Sequence, residues 1–272
     1  LKECRELLTR DLAVWNKKVD SDLLDEGIQR ILDRLIFIRV AEDRGIEAPI
    51  LLPLVREREE KQRLGRSREH LYQSMIEKFR ELDEIYNSNL FSPHPFEKWE
   101  DYSKATEKVI KILYGKLGYY EYDFKIIPAD VLGGVYENYL GFRLSKSQKG
   151  ITVAKDAKKR KEQGIYYTPP YIVDYIVKNT LKPVLDNCKG VAELKKIKVL
   201  DPACGSGSFL IKALEVIADK YKEFGYDDPY VKLSILKDNI YGVDLDEQAV
   251  EIARLNLLIN SLDGRVKMPL LS

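Results

Sequence analysis

Apolar residues recur at three- and four-residue steps through "SDLLDEGIQRILDRLIFIRVAEDRG", at Leu24, Ile28, Ile31, Leu35 and Ile38. This periodicity predicts one long amphipathic helix, with Ser21 able to cap its start and Gly45 able to close its end. Its Arg and Glu residues read as a solvated face. Segment 56–69, "REREEKQRLGRSRE", alternates in sign and predicts an exposed helix or mobile loop rather than a nucleic-acid patch. Further helices are predicted over about 68–88, 103–117 and 129–140, the last with Pro128 in its first turn. No internal repeat is present.

Between Arg143 and Gln163 the pattern changes. "RLSKSQKGITVAKDAKKRKEQ" holds eight basic residues, two acidic ones and few large apolar groups, which predicts a linker or loop. Two readings stay open for it. One is a solvated hinge; the other is a strip whose Lys158, Lys159, Arg160 and Lys161 neutralise DNA phosphates through counterion release.

After Gly164 the pattern becomes α/β. A helix is predicted from Pro169 and Pro170, whose missing amide hydrogens cost nothing in a first turn, with Ile172, Ile176, Val177 and Leu181 facing inward. "IKVLDPACGSGSFLIKALEVIADKY" then reads strand, glycine turn, helix, and "NIYGVDLDEQAVEIARLNLLINSL" reads strand, turn, helix. Two successive units of this kind predict a parallel, doubly wound sheet with ligands over the carboxyl ends of its strands.

Bulk properties narrow the possibilities. The 272 residues suffice for two ordinary domains, and 44% hydrophobic content is normal for packed cores. Forty-five Lys and Arg against 44 Asp and Glu give a formal charge of +1, so any site for a polyanion is local. Cys4, Cys188 and Cys204 are scattered and odd in number, which fits a reducing cytoplasm, and with His70 and His94 as the only histidines no metal site is expected. No apolar stretch approaches the roughly 18 to 20 residues that span a bilayer. The chain opens on Leu1 rather than Met, the expectation being a piece of a longer protein.

"LDPACGSGSF" carries the most information. Gly205 and Gly207 let the backbone turn tightly and approach a ligand. A dinucleotide is disfavoured: Leu210 stands where the third small residue of the pyrophosphate fingerprint belongs, and Asp244 follows Gly207 by 37 residues rather than about 20. No lysine of the phosphate-cradling type follows the glycines either. Asp201 at a strand's end suits a ligand with a cationic centre, such as S-adenosylmethionine, and Asp244 at the end of the next strand can accept both hydrogen bonds from ribose hydroxyls. In a second reading Asp244 or Asp246 simply caps the following helix and Asp201 is a turn residue. Cys204 has a nucleophile's address in the turn but reads as a small packing residue.

Taken in order, "GIYYTPPYIVDYIV", "DPACGSGSFL" and "GVDLD" resemble the opening motifs of amino-group DNA methyltransferases. They look most like the adenine-specific (N6) modification methylases of fused restriction-modification enzymes, the type IIG class and its phage-defence relatives. The resemblance covers residues 164–262. More loosely, "DEGIQRILDRLIFIRVAEDRG" and "IPADVLGGVYENYLG" look like the helical connector that precedes such methylase regions.

The resemblance implies a Rossmann-like S-adenosylmethionine-dependent methyltransferase sheet, partial and doubly wound, preceded by an all-α helical domain. It divides the chain into a connector over 1–142, a basic linker over 143–163 and a cofactor-binding part over 164–272. It places Tyr167, Thr168 and Pro169 beside the cofactor, Asp201 on its ammonium side, Ala203, Gly205 and Gly207 in the turn, Asp244 on the ribose and Leu245 beside the cofactor adenine. "TPPY" is then a cofactor wall, not the catalytic tetrapeptide, which must begin with Asn, Asp or Ser and follow the acidic strand. "DDPY", residues 227–230, lacks the second proline, so the catalytic motif is expected beyond Ser272 and the chain is expected to be inactive alone. Double-stranded DNA is the implied partner, with fused nuclease and target-recognition domains in the longer protein. Rival readings are a methyltransferase acting on protein or RNA, and a non-catalytic DNA-binding scaffold.

Overall fold

The computed structural model describes residues 1–65, 71–86, 89–102, 104–116, 118, 120–121, 123–125, 142–147, 150–155 and 168–261. These fall into two compact units, one drawn from Leu1–Ile126 with Phe142–Lys155, the other from Asp156–Val266. The helix predicted over 129–140 lies outside the described residues, as does the basic run 158–161.

The first unit is built around α2 (Ser21–Asp43), against which α1 (Lys2–Trp15) and α5 (Ala105–Leu113) pack, while α3 (Leu51–Arg63) packs on α4 (Leu71–Tyr86). The cap of α2 is Asp20 rather than Ser21: its carboxylate accepts the amides of Asp22 and Leu23, both at 3.0 Å. Gly45, at φ +70°, closes the end as expected. The solvated face expected for α2 is absent. Asp25, Gln29, Asp33, Arg34 and Arg39 are all buried beside Ile28, Ile31, Leu35 and Ile38, so the helix is enclosed on nearly every side.

Those buried polar groups are paired. Arg5 binds Asp25 and donates to Gln29 Oε1 at 3.1 Å, and Gln29 donates to Asp33 at 2.8 Å. Arg34, fully buried, donates to the carbonyls of Leu90 (2.8 Å) and Ser92 (2.6 Å) and to Glu97 (3.2 Å). Its guanidinium also faces the rings of Phe79 and Phe96 at 5.1 and 4.7 Å. Arg39 holds Glu42 and Asp43 and lies 3.9 Å from the centre of the Tyr114 ring. Partners of this kind offset the large desolvation of a buried charge.

Segment 56–63 is helical and mostly exposed, within the expectation for 56–69. Residues 142–155 depart from the linker expected there. They form an antiparallel hairpin, β1 (Phe142–Ser147) with β2 (Gly150–Lys155), lying beside α1 and α2. Phe142, Leu144, Ile151 and Val153 alternate with smaller or polar residues, a period-two pattern that basic composition obscures.

In the second unit α6 (Pro170–Asp186) starts with Pro170 at its first position, as the sequence predicts, and buries Val173, Val177, Leu181 and Leu185. The inward set is shifted from the expected one: Ile176 is exposed and Ile172 half-buried. After the short α7 (Val191–Leu194), β3 (Val199–Asp201) leads through the glycine turn into α8 (Ser208–Glu223). The unpredicted α9 (Val231–Asp238) precedes β4 (Ile240–Gly242), and α10 (Glu247–Ser261) follows. Strands β3 and β4 are parallel, with Leu200 opposite Tyr241 and Asp201 opposite Gly242. Asn239, fully buried, donates to the carbonyls of Leu194 and Ile197 at 2.8 and 2.7 Å and so fixes the entry to both strands. The core lies between this sheet and α6, α8, α9 and α10. On the other face Leu200 is 62% and Val243 56% exposed, with Tyr241 between them also exposed. The result is a helix-rich α/β architecture with a small parallel sheet.

Candidate functional site

The tips of β3 and β4 and the turn between β3 and α8 form one cradle. Asp201 Oδ1 accepts the Ala203 amide at 3.1 Å, and the Asp201 carbonyl accepts the Val243 amide at 2.9 Å. Val243 in turn accepts the Cys204 amide at 2.9 Å, which extends the ladder past the formal end of the strands. Beyond it, Asp244 grips the turn: Oδ2 accepts the Gly205 amide and Oδ1 the Asp246 amide, each at 2.9 Å. Gly205 and Asp244 are 39 residues apart in sequence, and their bond makes the two acid-bearing motifs one structure.

Glycine is required at several of these points for different reasons. Gly205 and Gly207 stand at φ +52° and +88°, a region other L residues enter only with strain. A Cβ on Gly207 would also come within 3.1 Å of the Ala253 side chain. Gly242, at the tip of β4, is a packing requirement: a Cβ there would meet Leu210 Cδ1 at 2.7 Å and Cys204 Sγ at 3.1 Å. Sequence reasoning missed Gly242, although it is the first residue of the "GVDLD" motif. Cys204 is buried, and burial, reinforced by Asp244 and Asp201, pushes its thiol up to about 11. It stays a protonated packing group at neutral pH, as the sequence suggests.

The predicted residues thus divide. Asp201, Ala203, Gly205, Gly207 and Asp244 are brought together, and Leu245 follows Asp244 with its side chain fully exposed. Asp246 occupies the cap position of α10, where its carbonyl accepts the Val250 amide at 3.1 Å. Pro169 caps α6, its carbonyl accepting the amides of Ile172 and Val173. Among the described residues no hydrogen bond ties Thr168 or Pro169 to the strand tips. Tyr167, Lys158, Lys159, Arg160 and Lys161 lie outside the described residues. "DDPY" forms a local turn in which Asp228 accepts the Tyr230 amide at 2.8 Å.

The chemistry of the cradle is acceptor-rich. Two carboxylates stand at adjacent strand tips, and each oxygen of Asp244 keeps a lone pair after its amide bond. The nearest lysine on α8, Lys212, is committed to Asp174 at 2.9 Å and Glu215 at 3.1 Å. This donor and acceptor set fits a nucleoside with free hydroxyls and a cationic centre, the groups that S-adenosylmethionine offers, and opposes a diphosphate. A mainly apolar cleft of about 260 Å³, lined by Ile176, Leu181, Leu200 and Phe209, reaches Asp201 and Pro202. Among the described residues no cluster of His, Cys, Asp and Glu could hold a metal ion, and no helix is long and apolar enough to cross a membrane.

Comparison with known proteins places this cradle in context. Residues 129–268 match the family model described as N-6 DNA Methylase. The chain is 27% identical over 97% of its length to the type II restriction enzyme and methyltransferase RM.Eco57I of Escherichia coli, of which it spans 27%. It is 35% identical over 52% of its length to the putative type II restriction enzyme and methyltransferase RM.MjaORFECS2P of Methanocaldococcus jannaschii, covering 15% of that protein. The fold also matches the type IIL restriction-modification enzyme MmeI, solved in complex with DNA, with a TM-score of 0.59 and 17% identity over 95% of this chain and 36% of that one. The family match spans both acid-bearing strand tips and the glycine turn, and the chain belongs to the N-6 DNA Methylase family.

Proposed function

We propose that this chain forms the S-adenosylmethionine-binding part of a DNA adenine N6-methyltransferase from a restriction-modification or phage-defence protein, with residues 164 onward belonging to a Rossmann-like, doubly wound domain. When bound, S-adenosylmethionine supplies an electrophilic methyl group on a sulfonium. Asp244 accepts hydrogen bonds from the ribose hydroxyls while its amide bond to Gly205 keeps the turn in register. Asp201 faces the ammonium side, and exposed Leu245 packs on the cofactor adenine. Tyr167 and Thr168 complete the wall near the methionine end.

The acceptor adenine is flipped from duplex DNA, since its exocyclic nitrogen is out of reach inside the helix. That nitrogen shares its lone pair with the ring, so acceptors must draw on its hydrogens to localise the pair for attack. No Asn-Pro-Pro-Tyr or Asp-Pro-Pro-Tyr occurs in the 272 residues, and on this reading they hold cofactor without transferring methyl by themselves.

The observation that carries the proposal is the Asp244 bond to the Gly205 amide, which assembles an anionic, acceptor-rich cradle beside which the first lysine of α8, Lys212, is already paired. Titration calorimetry with S-adenosylmethionine and sinefungin tests it. Binding is expected, and Asp244→Ala should weaken it by about 1.5–3 kcal/mol, or roughly 10- to 150-fold, the range for a hydrogen bond to a charged group. Asp244→Asn, which keeps one acceptor oxygen, should lose less. Preference for a dinucleotide or flavin would overturn the reading.

A further inference from the structure

Asn256 sits on α10 in a row with Ile252 and Ile259, positions that read as core, and it is fully buried. Its Nδ2 donates to the Ser206 carbonyl at 3.0 Å, across 50 residues of sequence. Its Oδ1 is equally buried and has no hydrogen-bond partner. A leucine would carry no unpaired oxygen of its own, at the expense of the donor to the buried Ser206 carbonyl. The amide is therefore costly to the core, and what it obtains is one bond, to the middle of the glycine turn.

That bond has a specific mechanical effect. The peptide joining Ser206 to Gly207 is held at both ends, its carbonyl by Asn256 and its amide by the Cys204 carbonyl at 2.8 Å. Gly207 stands at φ +88°, and glycine can leave that conformation as easily as enter it. Without a donor below, the Cys204 bond alone holds the peptide plane, which rotates more easily and carries the first amides of α8 with it. The same helix α10 carries Ala253 directly beneath Gly207 and begins beside Asp246, whose amide is held by Asp244. One helix thus supports the turn from below and the acid of the neighbouring strand from its own start.

We infer that Asn256 is a positioning residue for the cofactor site: it locks the Ser206–Gly207 peptide so that the glycine turn presents one conformation to the nucleoside. This rests on the proposed cofactor reading and adds to it a residue that touches no ligand.

Two variants test it: Asn256→Leu, which keeps the branched outline and removes the donor, and Asn256→Asp, which keeps shape and sets an acceptor against the Ser206 carbonyl. In the 272-residue chain, amide exchange at Gly207, melting temperature and S-adenosylmethionine affinity are measured well below the melting of each variant. The expected result is faster exchange at Gly207 and at least about tenfold weaker binding in both. The melting temperature of Asn256→Leu should fall only modestly, because the unpaired Asn256 Oδ1 goes while the Ser206 carbonyl loses its donor, so the loss of affinity exceeds any loss of stability. Wild-type exchange and affinity in Asn256→Leu overturn the inference. So does loss of the fold in both variants, which would make the amide a general support of the core. If the wild-type chain binds no S-adenosylmethionine, the cofactor reading fails while the exchange at Gly207 still decides whether the lock exists.

Discussion

Arg34 places a full positive charge where no water reaches, and burial draws its guanidinium down to about 10, with Glu97 opposing the shift. Its three partners, two of them backbone carbonyls, cannot all be served by a shorter or single-headed cation. Arg34→Met should therefore destabilise the first unit by about 3–5 kcal/mol, the range for removing one partner of a buried pair. Arg34→Lys should recover only part of that, as urea denaturation midpoints would show. A result within 0.5 kcal/mol of wild type, about the size of an ordinary surface substitution, would mean the network relaxes around the gap. Sequence periodicity could not reveal this residue, because a charged position between Ile31 and Leu35 reads as solvent-facing unless its partners, more than 50 residues away, are known. That Asp201 and Asp244 would stand at neighbouring strand tips was legible, because each closes an apolar strand pattern followed by a turn and a helix. Asn256 was hidden inside an apolar period.

Among the elements, the turn at residues 95–98 is capped by a histidine. His94 Nδ1 accepts the Phe96 amide at 3.2 Å, and Nε2 lies 3.4 Å from Glu26, so the neutral ring with its proton on Nε2 is the form that caps. Burial lowers the His94 pKa from its ordinary 6.5, with Glu26 acting in the opposite sense. A depressed pKa means that the unfolded chain binds the proton more readily. The stability tied to this group is thus complete above pH 6.5 and is lost as pH falls toward the folded value. Comparing denaturation at pH 7.5 and 5.5, His94→Asn should show a smaller drop than wild type; an equal drop would remove His94 from the account. Helices with one apolar stripe, α4 and α6, were legible from spacing and proline placement alone. The hairpin was not, since it falls within a segment, 143–163, whose eight basic residues and few large apolar groups read as a linker, and α9 was missed because eight residues, Val231–Asp238, span only about two helical turns.

For the whole molecule, a formal charge of +1 means that any attraction to DNA, the partner proposed above, has to come from a local concentration of basic side chains. Replacing Lys158, Lys159, Arg160 and Lys161 with Gln should flatten the salt dependence of DNA affinity, since each lost phosphate contact lowers the logarithmic slope by about 0.9. An unchanged slope would make the segment a hinge. The α/β character of the second half was readable because two strand-turn-helix patterns follow one another. Its sheet face was not, since Leu200, Tyr241 and Val243 look like core residues in sequence and stand exposed in the structure. That exposed row has a thermodynamic consequence. Surface already hydrated in the native state contributes nothing to the heat capacity or urea sensitivity of unfolding. Hydrogen exchange in graded urea should therefore give the second unit a shallower denaturant slope per residue than the first, whose central helix is enclosed on nearly every side.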